Sequence, residues 1–370
     1  MKETIKLTMK TGLAVGLLTL GLVVGCGNER GTAKAGSEGL QAAIVPGANV
    51  VAYYDAEAAR NTAIGKVLQD LSEEMGKVGQ EMQGQDFNRL QEKFKEVTGL
   101  TDDDIVAGLF SISLANIDFE AADPPSMDEL LMTGAVELKK PVTGEQLVRF
   151  IEAVAEEEGE EPQITETAHG GVTIYTISEM GPEVDADSIS IAMIGGDRIG
   201  LFGPQAALRE AIDRTNAGRV EALSAELQQI RQTVRPGAQA YVIFAMTPAL
   251  KASAAEEAAA ASPNDPTAAA QKAMGSLNGA SLSLSMGNQA QVSLIGVFEN
   301  PDDAAGMTQF FDNMVISTIR MFAGMMLGEK PLPMLQSLQA RHDGNQAELS
   351  FTLSEADVQT MRAMMAEGGM

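Results

Sequence analysis

The chain has one cysteine, no tryptophan and no long apolar run after its first residues. Because Cys26 is the only cysteine, no disulfide can form within the chain. With no Trp and only four Tyr, the ring surfaces on which sugars stack are scarce. No segment reaches the roughly 20 apolar residues that a membrane-spanning helix needs. The composition therefore predicts a body that is held together by core burial and does not cross a bilayer.

Histidine is almost absent, which disfavours most hydrolytic chemistry. His169 and His342 both fall in predicted hairpin turns, where a solvated side chain is expected. Equivalent positions in two related halves could instead bring them together across a pseudo-twofold axis. Two histidines without a second cysteine do not make a usual zinc site. The sequence also contains no Gly-x-Ser-x-Gly, phosphate-binding loop or His-Glu-x-x-His motif.

Carboxylates are the only abundant reactive groups. Asp102 to Asp104 indicate the start of a helix, and the acidic run Glu156 to Glu161 indicates a solvated loop. Loose calcium binding is the alternative, but neither group shows the spaced oxygen ligands and central Gly of a calcium loop. A carboxylate-only enzyme also remains open. We predict a non-enzymatic protein without catalytic residues, metal or cofactor.

Basic residues are outnumbered two to one. The sequence has 26 Lys and Arg against 51 Asp and Glu, a formal net charge of −25. This charge repels phosphate backbones, so we predict no nucleic-acid partner. It equally disfavours electrostatic adhesion to anionic lipids. Any membrane attachment must therefore be hydrophobic.

The N-terminus has the pattern of an export signal. Lys2, Lys6 and Lys10 provide a cationic start, and an apolar run follows from Gly12 to Val24. Gly25 then supplies the small residue that a signal peptidase accepts before its cut. Removal of residues 1–25 takes away three Lys and one Glu and leaves a net charge of about −27.

The end of this signal, Leu22-Val23-Val24-Gly25-Cys26, resembles the lipobox of bacterial lipoproteins. The resemblance implies that the Cys26 thiol receives a diacylglycerol, that the chain is cut after Gly25, and that the new amine receives a fatty acid such as palmitate. Gly27, in place of Asp, implies sorting to the periplasmic face of the outer membrane. More than one acyl chain gives a stable hold on a bilayer, whereas a single chain does not. The implied partner of Cys26 is thus the membrane of the cell envelope.

The order of predicted elements occurs twice along the chain. We assign 1–25 to the signal, 26–45 to a lipidated Cys and flexible tether, 46–218 to one α+β unit, and 219–370 to a bridging helix (219–234) and a second unit. Hairpins outnumber crossover units, so we predict two related units of mainly antiparallel sheet with helices packed on one face. An internal duplication would explain the repeat, and one continuous sheet with a coincidental repeat is the alternative.

Paired landmarks support the repeat. Ala168–Gly171 corresponds to Arg341–Gly344, and Gly203–Gln205 corresponds to Ser354–Ala356. A second resemblance covers the first third of the body. It rests on Val45 to Asp55 (VPGANVVAYYD), Ala63 to Leu68 (AIGKVL) and Val97 to Thr101 (VTGLT), and it is to a family of exported bacterial proteins of unknown function. This resemblance supports the fold prediction and implies no activity.

The region near the C-terminus is rich in methionine. Five apolar residues fall near one face of a predicted helix and form a candidate apolar groove: Met307, Phe311, Met314, Phe322 and Met325. A stripe of this kind is also what a helix buried in the core presents, and thioethers can bind Cu(I). We therefore consider a lipid-anchored binding or scaffold module first. A carrier or chaperone that holds an apolar small molecule or a protein in this groove is the second hypothesis.

Overall fold

The computed structural model describes residues 37–68, 85–115, 131–158, 162–178, 188–260, 268–327 and 333–366. Within these ranges twelve strands form one antiparallel sheet, in the order β11-β12-β10-β9-β8-β1-β2-β3-β7-β6-β5-β4. The predicted α+β class with a mainly antiparallel sheet is confirmed, and of the two alternatives the single continuous sheet is the observed one. The strands are β1 Val50–Tyr54, β2 Ile105–Ser113, β3 Leu131–Leu138, β4 Gln163–His169, β5 Val172–Ser178, β6 Ile189–Ile194, β7 Ile199–Gly203, β8 Ala240–Ala245, β9 Leu277–Met286, β10 Gln289–Phe298, β11 Gln339–Asp343 and β12 Gln346–Ser354.

The helices are mostly short and connect consecutive strands. A 3-10 turn at Asp102–Asp104 precedes β2, a helical stretch covers 63–68, and a π segment at Phe311–Ile316 joins two of the helices. The α-helices are α1 Glu38–Gln41, α2 Ala56–Arg60, α3 Gln85–Thr98, α4 Gly144–Glu158, α5 Gln205–Asn216, α6 Ala225–Arg231, α7 Pro248–Ala260, α8 Ala268–Gly275, α9 Pro301–Phe310, α10 Ser317–Leu327, α11 Pro333–Ser337 and α12 Glu355–Ala366.

Helices lie on both faces of the sheet, so the prediction of helices on one face is wrong. Alternate residues of a strand point to opposite faces. Face A, which carries Val51 and Tyr241, packs against α1, α5 and α6. Face B, which carries Tyr54 and Val136, packs against α3 and α4, and further along against α8, α9 and α12. The physical reason is visible in the strands, because their apolar residues occupy both alternating positions and need cover on both sides.

The two halves meet where β1 pairs with β8, and the hydrogen bonds at this junction are reciprocal. The Ala245 N–H donates to the Asn49 carbonyl over 2.8 Å, and the Asp55 N–H donates to the Gln239 carbonyl over 2.7 Å. Ala52 faces Val242 at the midpoint of the pairing. Outward from this pair the strands run β1-β2-β3 on one side and β8-β9-β10 on the other.

The segment before each of these two strands also has the same construction. Pro46-Gly47-Ala48-Asn49 precedes β1, and Pro236-Gly237-Ala238-Gln239 precedes β8. Gly47 and Gly237 both have positive φ, at 67° and 77°, which a residue with a Cβ rarely adopts. The side-chain oxygen of Asn49 accepts the Leu114 N–H, and that of Gln239 accepts the Met286 N–H. In each half an amide side chain therefore holds the end of the neighbouring strand.

The predicted tether ends earlier than residue 45, because residues from 37 onward are part of the fold. Ser37 caps α1, and Leu40 and Ala43 are fully buried against face A. The buried guanidinium of Arg214 on α5 donates to the carbonyls of Ala42 and Ile44, each over 3.1 Å. These bonds join the start of the described chain to α5 and satisfy two buried carbonyls.

The predicted bridging helix is shorter than its sequence suggested. Of residues 219–234, only Ala225–Arg231 are helical, because the Ser224 hydroxyl accepts the Leu227 N–H and begins the helix there. The Ala168–Gly171 landmark lies in the predicted hairpin, β4-β5, but its correspondence with Arg341–Gly344 does not follow the strand order. By strand order β6-β7, not β4-β5, is the counterpart of β11-β12. The pairing of Gly203–Gln205 with Ser354–Ala356 agrees with this order, since each ends a strand and begins a helix.

Candidate functional site: an open apolar row on face B

A line of apolar side chains crosses the middle of face B at one register level. Phe110 pairs with Ala52, Ala52 with Val242, and Val242 with Leu282. The line then continues through two residues of β10 and β12. We call these six residues the open row: Phe110, Ala52, Val242, Leu282, Leu294 and Leu349.

The open row is unusual because it lies in central strands and is still accessible. Val242 is 38% exposed and Leu282 is 44% exposed, although β8 and β9 both have a strand on either side. The other four residues are partly exposed. A solvated face of an antiparallel sheet normally carries polar residues. A contiguous apolar surface in this position is typical of an interaction site.

The row is accessible because the helices of face B leave its centre uncovered. Phe94 of α3 and Leu147 of α4 pack against the cluster of Val136 and Phe202 on one side. On the other side α8 and α9 pack against Ala347 and Phe298. At the end of the strands, helical stretch 63–68 and α12 cover Met286 and Ala290. Among the described residues, five of the six in the row belong to none of these clusters: Ala52, Val242, Leu282, Leu294 and Leu349.

The dimensions of the row suit a slender ligand. Six neighbouring strands at about 4.8 Å spacing give the row a length of about 24 Å. Ala52 has the smallest side chain of the row and lies between Val242 and Phe110, so it leaves a shallow depression in the surface. Beside this depression the rings of Phe110 and Phe202 stack, with their centroids 6.4 Å apart. A surface of this shape can bind apolar groups and offers no hydrogen bonds from its own side chains.

The groove predicted from the Met-rich sequence is not formed as one surface. Met307 is buried in the core, and Phe311 packs partly against the same cluster. Met314 is half-buried, whereas Phe322 is 56% exposed. The backbone of Met325 belongs to α10, but its side chain lies outside the described residues. Among the four of these residues whose side chains the structure describes, the buried-stripe interpretation is therefore right for Met307 alone.

The π segment explains why the five residues do not share a face. The prediction assumed one helix with 3.6 residues per turn from Pro301 onward. Phe311–Ile316 instead forms a π segment between α9 and α10. A π turn contains more residues than an α turn and so rotates the later residues relative to the earlier ones. Met307, before the segment, faces the core, whereas the described side chains of α10, Ser317 to Phe322, are exposed.

The two histidines lie at opposite edges of the sheet and cannot meet. His169 ends β4 and His342 lies in β11, the two edge strands, which are eleven strand spacings or roughly 50 Å apart. His169 forms a 2.9 Å hydrogen bond with Asp213 of α5, and His342 is exposed. The described part of the chain contains no group of three or more His, Cys, Asp or Glu placed to hold a metal ion.

The acidic run at 102–104 has the structural role predicted for it. Thr101 and Asp104 form a reciprocal cap, in which the Asp104 carboxylate accepts the Thr101 N–H over 3.0 Å. Burial alone would raise the pKa of Asp104, but hydrogen bonds from Thr101 and Lys140 hold that pKa below its usual value. Of the second acidic group, Glu156 to Glu158 end α4 and residues 159–161 lie outside the described ranges.

The most polar buried cluster lies on face A in the second half. The carboxylate of Glu348 in β12 accepts hydrogen bonds from Arg235, from Arg341 over 2.7 Å and from the Ser293 hydroxyl over 2.6 Å. Burial favours the neutral acid, but these three donors outweigh it and lower the pKa of Glu348. Both guanidinium groups are bound to the Glu348 carboxylate, so the cluster joins β12 to β10, to β11 and to the segment before β8.

Comparisons of the chain with protein-family models, with curated proteins and with solved structures found no match. Gly25 and Cys26 lie outside the described residues. In the described ranges no helix has the length and apolar content to cross a bilayer.

Sequence reasoning missed the open row, although one signal for it was present. The segment Ala240 to Met246 reads AYVIFAM, an apolar run without polar alternation. Such a run predicts a strand with apolar residues on both faces, and the usual expectation is that both faces are covered. Which face remains open depends on where the helices pack, and the strand sequence carries no information on that.

Proposed function

We propose that this protein is a lipid-anchored, non-enzymatic module of the bacterial cell envelope that binds an apolar chain on the open row. The observation that carries the proposal is the exposure of Val242 and Leu282 at the centre of the sheet. Exposed apolar side chains in central strands cost solubility, so their presence favours a binding role over a purely structural one.

The proposed ligand is an acyl chain. The row is about 24 Å long, and one acyl chain occupies about half of the roughly 30 Å core of a bilayer. All six side chains of the row are apolar, which suits a hydrocarbon and does not favour a polar ligand. Burial of a Leu or Val side chain contributes about 1.5–3 kcal/mol, so a few such contacts give useful affinity.

Leu282→Asp is expected to weaken binding of a fatty acid about tenfold or more. The substitution places a charge in the middle of the row and removes one buried contact of about 1.4 kcal/mol or greater. The measurement is displacement by palmitate of a fluorescent apolar dye. It uses the chain without residues 1–26, which keeps every described element.

Val220→Asp is the matched control, because Val220 is 41% exposed but lies in the link between α5 and α6. Equal thermal unfolding of the two variants shows that the sheet is intact. If palmitate displaces no dye from the wild-type chain, or if both variants bind palmitate equally, the open row is not the binding site.

Cys26→Ser is expected to release the protein from the membrane fraction. The resemblance of residues 22–26 to a lipobox supports this anchor. The acidic body provides no electrostatic hold on anionic lipids, so loss of the acyl chains should leave it without its main attachment. Expression in a bacterium followed by fractionation measures the effect, and intact mass reports whether Cys26 is modified. A wild-type protein with an unmodified Cys26 would remove the anchor from the proposal.

We also infer that the two halves arose by duplication of one α+β unit. The inference is supported by the reciprocal bonds around Ala52 and Val242, by the shared Pro-Gly-Ala motif at Pro46 and Pro236, and by the matching strand order on either side. In the duplicated arrangement the open row is centred on the point where the two units meet, and the β4-β5 hairpin is an addition to the first unit.

A further inference from the structure

Helix α10 has an apolar side that faces solvent. Met321 and Phe322 are each 56% exposed, and Ile319 is 39% exposed. No other large apolar residue in the described ranges exceeds 44% exposure. Large apolar side chains that are exposed together on one helix indicate a surface that contacts a membrane or another molecule.

Arg320 fixes which side of α10 faces the body. Its Nε donates to the Leu335 carbonyl over 3.4 Å and its Nη2 donates to the Leu338 carbonyl over 3.1 Å. Successive residues of an α-helix are about 100° apart. Ile319, Phe322 and Met321 therefore occupy the arc of the helix that faces away from Arg320 and from the carbonyls it binds.

Helix α10 and the residues next to it carry no carboxylate. The chain has 51 Asp and Glu, but none occurs between Asp312 and Glu329. The single charged residue within that stretch is Arg320, which is bound to backbone carbonyls of the body. A bilayer surface repels carboxylates and accepts apolar side chains. Helix α10 carries apolar side chains and no carboxylate, as this surface requires.

We propose that the exposed side of α10 is a membrane-contacting surface that inserts Ile319, Met321 and Phe322 into the interface of the bilayer. The choice of a bilayer as the occupant rests on the proposed lipid anchor at Cys26. Interfacial helices bury their apolar side about 5–10 Å into the boundary between headgroups and acyl chains. Insertion of α10 would give the anchored body a fixed orientation, which a flexible tether alone cannot provide.

The chain between Cys26 and Ser37 limits how far the anchor can lie from the body. Eleven residues separate Cys26 from Ser37, and a chain of that length spans at most about 38 Å. The start of α1 lies beside β7, where Gly39 approaches Ile199, whereas α10 is held beside the start of β11. These two strands are eight spacings apart, or about 38 Å. Along the sheet, this distance matches the full extension of the chain from Cys26 to Ser37.

The absence of Trp makes a direct test available. Phe322→Trp gives the full chain a single tryptophan on the exposed side of α10. This variant is purified in detergent and reconstituted into phosphatidylcholine vesicles. The tryptophan should then emit at a shorter wavelength in the vesicles than it does in denaturant without detergent. It should also lose most of its intensity when the lipids are brominated near the headgroup. Val220→Trp, exposed and distant in sequence from α10, should keep its intensity in both vesicles.

The possible outcomes distinguish insertion of α10 into the bilayer from anchoring through Cys26. If the indole of Phe322→Trp emits at long wavelength or is not quenched by brominated lipid, while the protein still pellets with the vesicles, α10 does not insert and the anchor stands. If that indole emits at short wavelength without quenching, α10 is covered by protein, either a second copy or a partner, and the proposal is wrong. If Cys26→Ser no longer fractionates with membranes and the Phe322→Trp variant is quenched in vesicles, both proposals are supported.

Discussion

Gly279→Ala is expected to destabilise the fold by about 3 kcal/mol. A Cβ at position 279 would lie 2.2 Å from the backbone oxygen of Phe244 and 2.1 Å from the Cδ1 atom of Ile230. The Ile230 side chain could rotate, but the Phe244 oxygen belongs to the neighbouring strand β8 and cannot move without disturbing the junction. The expected result is a lower midpoint of thermal unfolding, measured by far-ultraviolet circular dichroism.

Gly287→Ala is the control for this prediction. Gly287 lies in the turn of the same β9-β10 hairpin, and an added Cβ there meets no atom within 4 Å. The two substitutions change the unfolded chain in the same way, so a difference between them reports the native structure alone. If both variants unfold at the same temperature, the close contact between β8 and β9 at this position is not real.

Glu348→Gln is expected to cost about 2–4 kcal/mol at neutral pH. The carboxylate is 8% exposed and accepts from two guanidinium groups and a hydroxyl. The amide keeps the size of the side chain but removes the charge, which leaves Arg235 paired only weakly in a partly buried position. Arg341 is more exposed and loses less, since water can solvate it.

The same carboxylate makes the wild-type protein sensitive to acid. Because the pKa of Glu348 is lower in the folded state than in the unfolded state, its contribution is fully present above the unfolded value. The contribution is lost as the pH falls through the folded value. The wild-type and Glu348→Gln proteins should therefore converge in stability at low pH, as measured by urea unfolding. The exposed Glu152→Gln variant should follow the wild type at every pH, and a constant gap between wild type and Glu348→Gln would contradict the assignment.

Most elements of the fold could be predicted from the sequence, because local patterns determine them. Turn signals and alternation predicted the four hairpins β4-β5, β6-β7, β9-β10 and β11-β12, and all four are observed. The sequence pattern predicts a final helix from residue 355 to residue 366, and α12 has these bounds, Glu355–Ala366. The pair Asn278-Gly279 has the pattern of a helix end, but Leu277 to Gly279 begin β9. A local pattern cannot distinguish a helix end from a strand start when both use the same small residues.

The arrangement of these elements could not be predicted to the same degree. That helices cover both faces depends on contacts between residues far apart in the chain, such as Arg214 with Ala42. The exposure of Leu282 likewise depends on contacts between residues far apart in the chain, because these contacts decide where the helices pack. The Met-rich groove was mistaken because a π segment has no reliable sequence pattern, and one irregular turn changes the direction of every later side chain.

The pairing of β1 with β8 also has a consequence for biosynthesis. During translation, the outer edge of β1 has no neighbour until residues 240–245 have been made, nearly two hundred residues later. An unpaired strand edge is a template for wrong partners, including another nascent chain. A protein built in this way gains from remaining unfolded until synthesis is finished, as a chain threaded through an export channel does.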